Sequence, residues 1–138
     1  MYGEYKHNLD SKGRIFVPAK LRDELGEVFY VMPGLQGYLL VYSREKWQPI
    51  QDKIDAMPLT KRRNLRQLMA NIEECTPDKQ GRILLPAKLR EYAELQQEIT
   101  FLGQGDHAEI WNTAAYEKEV AAQLTPDYLS AAMEALEI

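Results

Sequence analysis

An aspartate followed four residues later by an arginine occurs twice in the chain, as Asp10–Arg14 and Asp78–Arg82, with Gly13 or Gly81 just before the arginine. An arginine leaving a tight turn presents a planar fork of five donors. That fork suits bidentate contact with phosphate or with the O6/N7 edge of guanine. The aspartate suits another task, because a carboxylate at the start of a turn accepts backbone N–H groups. A purely structural pairing of the two across the turn is the competing reading. An exposed ion pair contributes only about 0–1 kcal/mol, which is little reason to keep the pair twice.

The surrounding cations recur as well. Lys12 and Lys79 sit at the turns, and Lys20, Arg22, Lys88 and Arg90 follow on short segments that read as helices. Singly they would make an ordinary solvated face; recurring together they suit phosphate contacts, which position a protein on DNA without specifying sequence. Residues 10–22 sum to +3, residues 78–90 sum to +3, and KRRNLR at 61–66 adds +4. The whole chain is nevertheless acidic, at −4 with 21 Asp and Glu against 17 Lys and Arg. Local patches, not net charge, set where a polyanion docks.

The elements that must hold these residues are themselves duplicated. DSKGRIFVPAKLR (10–22) and DKQGRILLPAKLR (78–90) are identical at nine of thirteen positions. Farther on, FYVMPGLQGYLLVYSREKW (29–47) aligns with EITFLGQGDHAEIWNTAAY (98–116), so the repeat is about forty residues, used twice. Each copy reads as strand, turn, strand, short helix, strand, glycine turn, strand. A polar cap, Ser43 or Thr113, then opens a helix with an aromatic, Trp47 or Tyr116, at its fourth position. PAKLRDEL reads as a two-turn helix with Pro18 first, Gly26 just past its end, and Leu21 and Leu25 buried; Pro86, Leu89 and Ala93 repeat the pattern.

Strand pieces this short are not stable alone, so the copies must interleave with each other or with another chain. Two copies are too few for a solenoid. The expected fold is α+β and β-rich: two modules, residues 5–47 and 76–119, packed as a pseudo-two-fold barrel. A helical insert (48–75) and a C-terminal helical tail (120–138) complete it. Residues 43–57 and 60–72 read as the insert helices, with Thr60 capping the second and Pro49 predicting a kink or a late start in the first. The KRRNLR segment serves either DNA contact or ion pairs, within or between chains, with Asp52, Asp55, Glu73 and Glu74. Thr125 and Pro126 open the last helix, whose Leu129, Ala132, Met133 and Leu136 form a narrow apolar stripe. That stripe is either core or a seam for a partner helix.

The residues point away from catalysis. His7 and His107 are the only histidines, and neither has ligands at metal spacing. Cys75, the single cysteine, has no histidine at helical or turn distance, and no G-x-S-x-G or P-loop is present. GQGD at 103–106 joins two strands and does not open a helix at a phosphate. No enzyme, metal, cofactor or small-molecule substrate is therefore expected. One cysteine fits a reducing compartment. No run approaches the roughly 20 apolar residues of a membrane span, and MYGEYKHNLD lacks the apolar stretch of a signal peptide. The expected setting is the cytoplasm, without membrane attachment.

D-x-x-G-R-I followed by P-A-K-L-R resembles the AbrB-type swapped-hairpin module of bacterial DNA-binding regulators. Two such modules joined by a helical insert, with GEYKHNLDSKGRIFVPAKLR (3–22), ECTPDKQGRILLPAKLREYAEL (74–95) and EIW (109–111), resemble the MraZ family over nearly the whole chain. The resemblance implies a nucleoid-associated transcriptional regulator that assembles as a homo-oligomeric ring. It implies binding to double-stranded DNA at the regulator's own promoter, upstream of the division and cell-wall gene cluster, through short G-rich boxes in direct repeat. The family's D-x-x-x-R elements fall on Asp10 and Arg14, and on Asp78 and Arg82; either repeat, or both, would face DNA in a ring. Thr76 and Pro77 before Asp78 predict a shortened strand there. An antitoxin-like protein-binding module on the same fold is the alternative.

Overall fold

A computed structural model describes residues 1–138. The first copy supplies β1 (Glu4–Asn8), β2 (Arg14–Phe16), α1 (Ala19–Leu25), β3 (Phe29–Pro33) and β4 (Leu39–Ser43). The insert carries α2 (Arg44–Ala56), α3 (Leu59–Arg62) and α4 (Arg66–Ala70). The second copy follows with β5 (Glu73–Cys75), β6 (Arg82–Leu84), α5 (Ala87–Tyr92), β7 (Glu98–Gly103) and β8 (Ala108–Asn112). The chain closes with α6 (Thr113–Glu119) and α7 (Pro126–Ala135).

The strands form two separate sheets. Six run antiparallel in the order β1-β7-β8-β4-β3-β5, and β2 and β6 pair with each other as a two-stranded ribbon. The first strand of each copy adds to the hairpin of the other: β1 pairs with β7, and β5 pairs with β3. The hairpins meet through β4 and β8, where Leu40 lies opposite Glu109, its equivalent in the second copy. In the ribbon Ile15 lies opposite Ile83, again equivalent positions.

The expected barrel does not form. The six-stranded sheet is open, with β1 and β5 at its two edges and four hairpin strands between them. β2 and β6 leave the sheet to pair with each other, so no strand remains to bridge those edges. β5 has three residues where β1 has five, as Thr76 and Pro77 lead one to expect. A short, acidic edge such as β5 (EEC) resists pairing with other chains.

One core serves both copies. Ile15 and Ile83 of the ribbon, and Val17 and Leu85 just after it, meet Leu21 and Leu25 of α1, Leu89 of α5 and Ala93 at its end, above the apolar face of the large sheet, led by Phe29, Val31, Leu39, Val41, Ile99, Phe101 and Ile110. Truncating such a buried isoleucine or leucine to alanine costs about 2–5 kcal/mol. On the opposite face Trp47 of α2 stacks on Tyr30, at 5.0 Å between ring centres, and Tyr38 stacks on Trp111 at 4.9 Å. Tyr116 of α6 meets Trp111 edge-on.

Several local expectations are corrected. Asn112, not Thr113, caps α6, its side chain accepting the Ala115 N–H at 3.2 Å. Thr113 is buried and shares a 2.9 Å hydrogen bond with Thr100, so its hydroxyl is committed to the core. Pro58, not Thr60, precedes the first residue of α3, and the 60–72 helix is broken by a 3-10 turn at Arg63–Leu65 into α3 and α4. α2 begins at Arg44 under a Ser43 cap and continues through Pro49, so its start is not delayed. Ser43, Thr125, Leu21, Leu25, Leu89 and Ala93 take the predicted roles. Of the two readings of the α7 stripe, core or partner-helix seam, the structure excludes the first: no residue of that helix is buried in the chain.

Candidate nucleic-acid interface

Both D-x-x-x-R segments fold into the same turn. Asp10 accepts the backbone N–H groups of Lys12 and Arg14 on one carboxylate oxygen, each at 2.9 Å, and Arg14 Nε on the other at 2.8 Å. Asp78 repeats this with Gln80, Arg82 and Arg82 Nε, all at 2.9 Å. The backbone N–H of the arginine, and then its guanidinium, hold each aspartate below the usual carboxylate range. The structural reading and the recognition reading of the motif are thus compatible. Each carboxylate grips Nε, on the near side of the guanidinium, and both Nη nitrogens remain without a partner in the chain.

The turns are held by the opposite copy. Gly13 and Gly81 have φ of 82° and 80°, a region that L side chains rarely adopt. The carbonyl of Gly13 accepts the Leu85 N–H and that of Gly81 accepts the Val17 N–H, both at 2.9 Å. Arg90 of α5 lies over Gly13, where an added Cβ would sit 2.9 Å from its Cζ, and Arg22 of α1 lies over Gly81 even more closely. Arg90 is further tied by its Nε to the Leu85 carbonyl at 3.0 Å. These two arginines therefore brace the turns as well as adding charge. Lys12, Lys20, Lys79 and Lys88 are exposed and make no ion pair.

The ribbon brings the turns together. Arg14 pairs with Leu84 and Phe16 with Arg82, so the two arginines are diagonal neighbours with Cα atoms about 7–8 Å apart. Ile15 and Ile83 point into the core, leaving Arg14, Phe16, Arg82 and Leu84 on the outer face. Phe16 is 45% exposed and Leu84 60% exposed. Sequence reasoning missed these two apolar residues. The signal was the alternation in RIF and RIL, which places the third residue beside the arginine once Ile is assigned inward.

The two histidines and the cysteine lie apart from the ribbon's outer face. His7 is tucked edge-on against Phe101, and burial lowers its pKa. His107 faces Asp106 at 2.8 Å. Burial pushes the Cys75 thiol up to about 12, which removes the thiolate that reactive cysteines need. No three His, Cys, Asp or Glu residues converge as a metal site, and no helix is long and apolar enough to cross a membrane.

The KRRNLR segment makes none of the ion pairs considered for it within the chain. Arg62 donates to the main-chain carbonyls of Asp55 and Met57, while the Asp55 and Asp52 carboxylates accept from Gln51 and Gln48. Glu74 accepts from Tyr30.

Fold and surface define a class: a small duplicated α+β protein that exposes paired, carboxylate-anchored arginines on a two-stranded ribbon. The sequence profile of the family described as "MraZ protein, putative antitoxin-like" matches residues 1–68 and again 68–127. The chain is 44% identical over 121 residues to the transcriptional regulator MraZ of Caldanaerobacter subterraneus subsp. tengcongensis, covering 86% of this chain and 85% of the relative. It is 48% identical over 113 residues to that of Carboxydothermus hydrogenoformans (80% and 79% covered). It is 42% identical over 140 residues to that of Halothermothrix orenii (99% and 98%). The chain belongs to the MraZ family.

Proposed function

We propose that this protein is a sequence-specific, non-enzymatic DNA-binding regulator of transcription that reads guanine with Arg14 and Arg82. One observation carries the reading: two guanidinium groups, each gripped at Nε with its Nη nitrogens unpaired, side by side on a two-stranded ribbon. A ribbon of that width enters the major groove, and a fixed fork is the group that pairs with guanine O6 and N7. Lys12, Lys20, Lys79 and Lys88 supply phosphate contacts, with Arg22 and Arg90 beside the turns. The shared name of the relatives, transcriptional regulator, supports the same conclusion.

The finer reading follows the family resemblance. The chain is two AbrB-like modules, 5–47 and 76–119, related by a pseudo-two-fold axis. Its support is the facing of equivalent residues, Ile15 with Ile83 and Leu40 with Glu109, and the exchange of first strands. A single patch of +3 binds DNA feebly, since affinity grows with the phosphates neutralised. A ring of such subunits turns weak contacts into avidity where box spacing matches subunit spacing. G-rich direct repeats at its own promoter, upstream of the division and cell-wall genes, would suit that array.

Mobility-shift titration on the DNA upstream of its own gene, with native mass in parallel, tests the proposal. Arg14→Ala abolishes specific retardation while assembly and melting temperature stay nearly unchanged. A variant that melts far lower yet keeps specific affinity would make Arg14 structural and end the reading. Lys12→Ala or Lys20→Ala weakens binding to all sequences and flattens the salt dependence by about one. The antitoxin-like reading draws on the bare stripe of α7; a stoichiometric protein partner with no DNA retardation would favour it.

A further inference from the structure

The ribbon leaves two surfaces without a role. One is α7, where Leu129, Met133 and Leu136 are 43%, 42% and 69% exposed. Asp127 and Glu134 on that helix, and Glu137 just beyond it, make no ion pair within the chain. The other is a groove of about 370 Å³ lined by Leu59, Arg62, Arg63, Arg66 and Met69. Leu59 is 77% exposed and Met69 40% exposed. Arg62 is anchored there by the carbonyls of Asp55 and Met57, at 2.9 and 3.2 Å. Lys61, Arg63 and Arg66 have no carboxylate within ion-pairing distance.

Each surface has what the other lacks. α7 offers an apolar stripe, from Leu129 to Leu136 roughly 10 Å long, with carboxylates to one side. The groove offers apolar residues beside two unpaired cations, Arg63 and Arg66, and the anchored Arg62. α7 buries none of its residues against its own chain. We propose that α7 of one copy docks into the Leu59–Met69 groove of the next, Glu134 and Glu137 meeting Arg63 and Arg66. The contact is heterologous: every subunit gives a helix and receives one, and the series closes into a ring where the rotation permits. DNA is the rival occupant of the groove, but phosphate would leave Leu59, Met69 and the stripe of α7 all uncovered. The inference rests on the reading that several copies assemble.

Native mass and single-duplex DNA affinity of the full chain test it by charge reversal. Arg63→Glu with Arg66→Glu, and separately Glu134→Arg with Glu137→Arg, each weaken self-association at least tenfold and leave melting nearly unchanged. Combining all four restores the assembly. Unchanged mass in either pair, or no recovery in the combination, overturns the docking. An unchanged mass with a tenfold loss of single-duplex affinity in the arginine variant assigns the groove to DNA and also overturns it. A wild-type protein that is monomeric throughout removes the assembly reading itself, a different failure. Should the charge variants unfold, Met69→Cys with Met133→Cys decides the matter. A short bis-maleimide gives a ladder of linked chains only from the double variant, the buried Cys75 staying silent; no ladder overturns the proposal.

Discussion

Arg22, on the helix of one copy, lies across Gly81, in the turn of the other, so close that a methyl group there would have to displace its guanidinium. The reverse contact sets Arg90 across Gly13. The charged helix of each repeat thus packs on the D-x-x-G-R turn of its counterpart, and shape and charge at each turn depend on both copies together.

Gly81→Ala is expected to destabilise the protein by about 1–2 kcal/mol, the cost of a left-handed L-residue, with a further loss as Arg22 is displaced. Thermal melting measures the sum. Adding Arg22→Ala should then cost less in this background than in the wild type, because the contact is already broken. Equal costs would mean that the clamp carries no energy.

Asp10→Asn keeps an acceptor for the two backbone N–H groups and removes the charge that grips Arg14. Specific affinity falls about tenfold while non-specific affinity holds or rises, since the patch gains a positive charge. Titrating the wild type has a related effect. The folded pKa of Asp10 and Asp78 lies below the ordinary value of about 3.9. Their contribution to stability is therefore complete above that value and is lost as pH falls through the lowered folded one. Melting curves of Asp10→Asn with Asp78→Asn should lose part of the wild-type fall below about pH 4.

Phe16→Ser and Leu84→Ser remove apolar surface from the outer face of the ribbon without opening the core. Melting temperature stays within a few degrees, while affinity for the specific duplex drops and affinity for random duplex does not. Binding that survives both changes would confine readout to the arginines.

Glu94 adopts φ 51° at the place where the first copy has Gly26 at φ 80°. Glu94→Gly should stabilise the protein by about 0.5–1 kcal/mol, the relief of that conformation set against the added freedom of glycine when unfolded. Of residue 94, the Asn112 side chain meets only the main-chain carbonyl, to which its amide donates, so the substitution leaves that bond intact. Chemical denaturation reads the difference.

Much of this was legible locally. The duplicated D-x-x-G-R-I turn, the Pro-initiated helices and the caps at Ser43 and Thr125 are short-range chemistry, and the structure keeps them. What the sequence hid was decided at long range. Asn112 and Thr113 are equally plausible caps until Thr100 claims the Thr113 hydroxyl. The open sheet follows from β2 choosing β6 across 68 residues, a pairing that no local pattern records. The outward face of Phe16 and Leu84 depended on assigning sides in strands of only three residues.

The exchange of first strands also bears on how the protein is made. β1 emerges at Glu4–Asn8 but finds its partner only when Glu98–Leu102 has been synthesised. About 90 residues separate them, roughly 5–20 s of translation. Through that interval a nascent strand with Tyr5 and His7 on its inner side has no place to bind, so rapid maturation depends on keeping it in water until the last hairpin arrives.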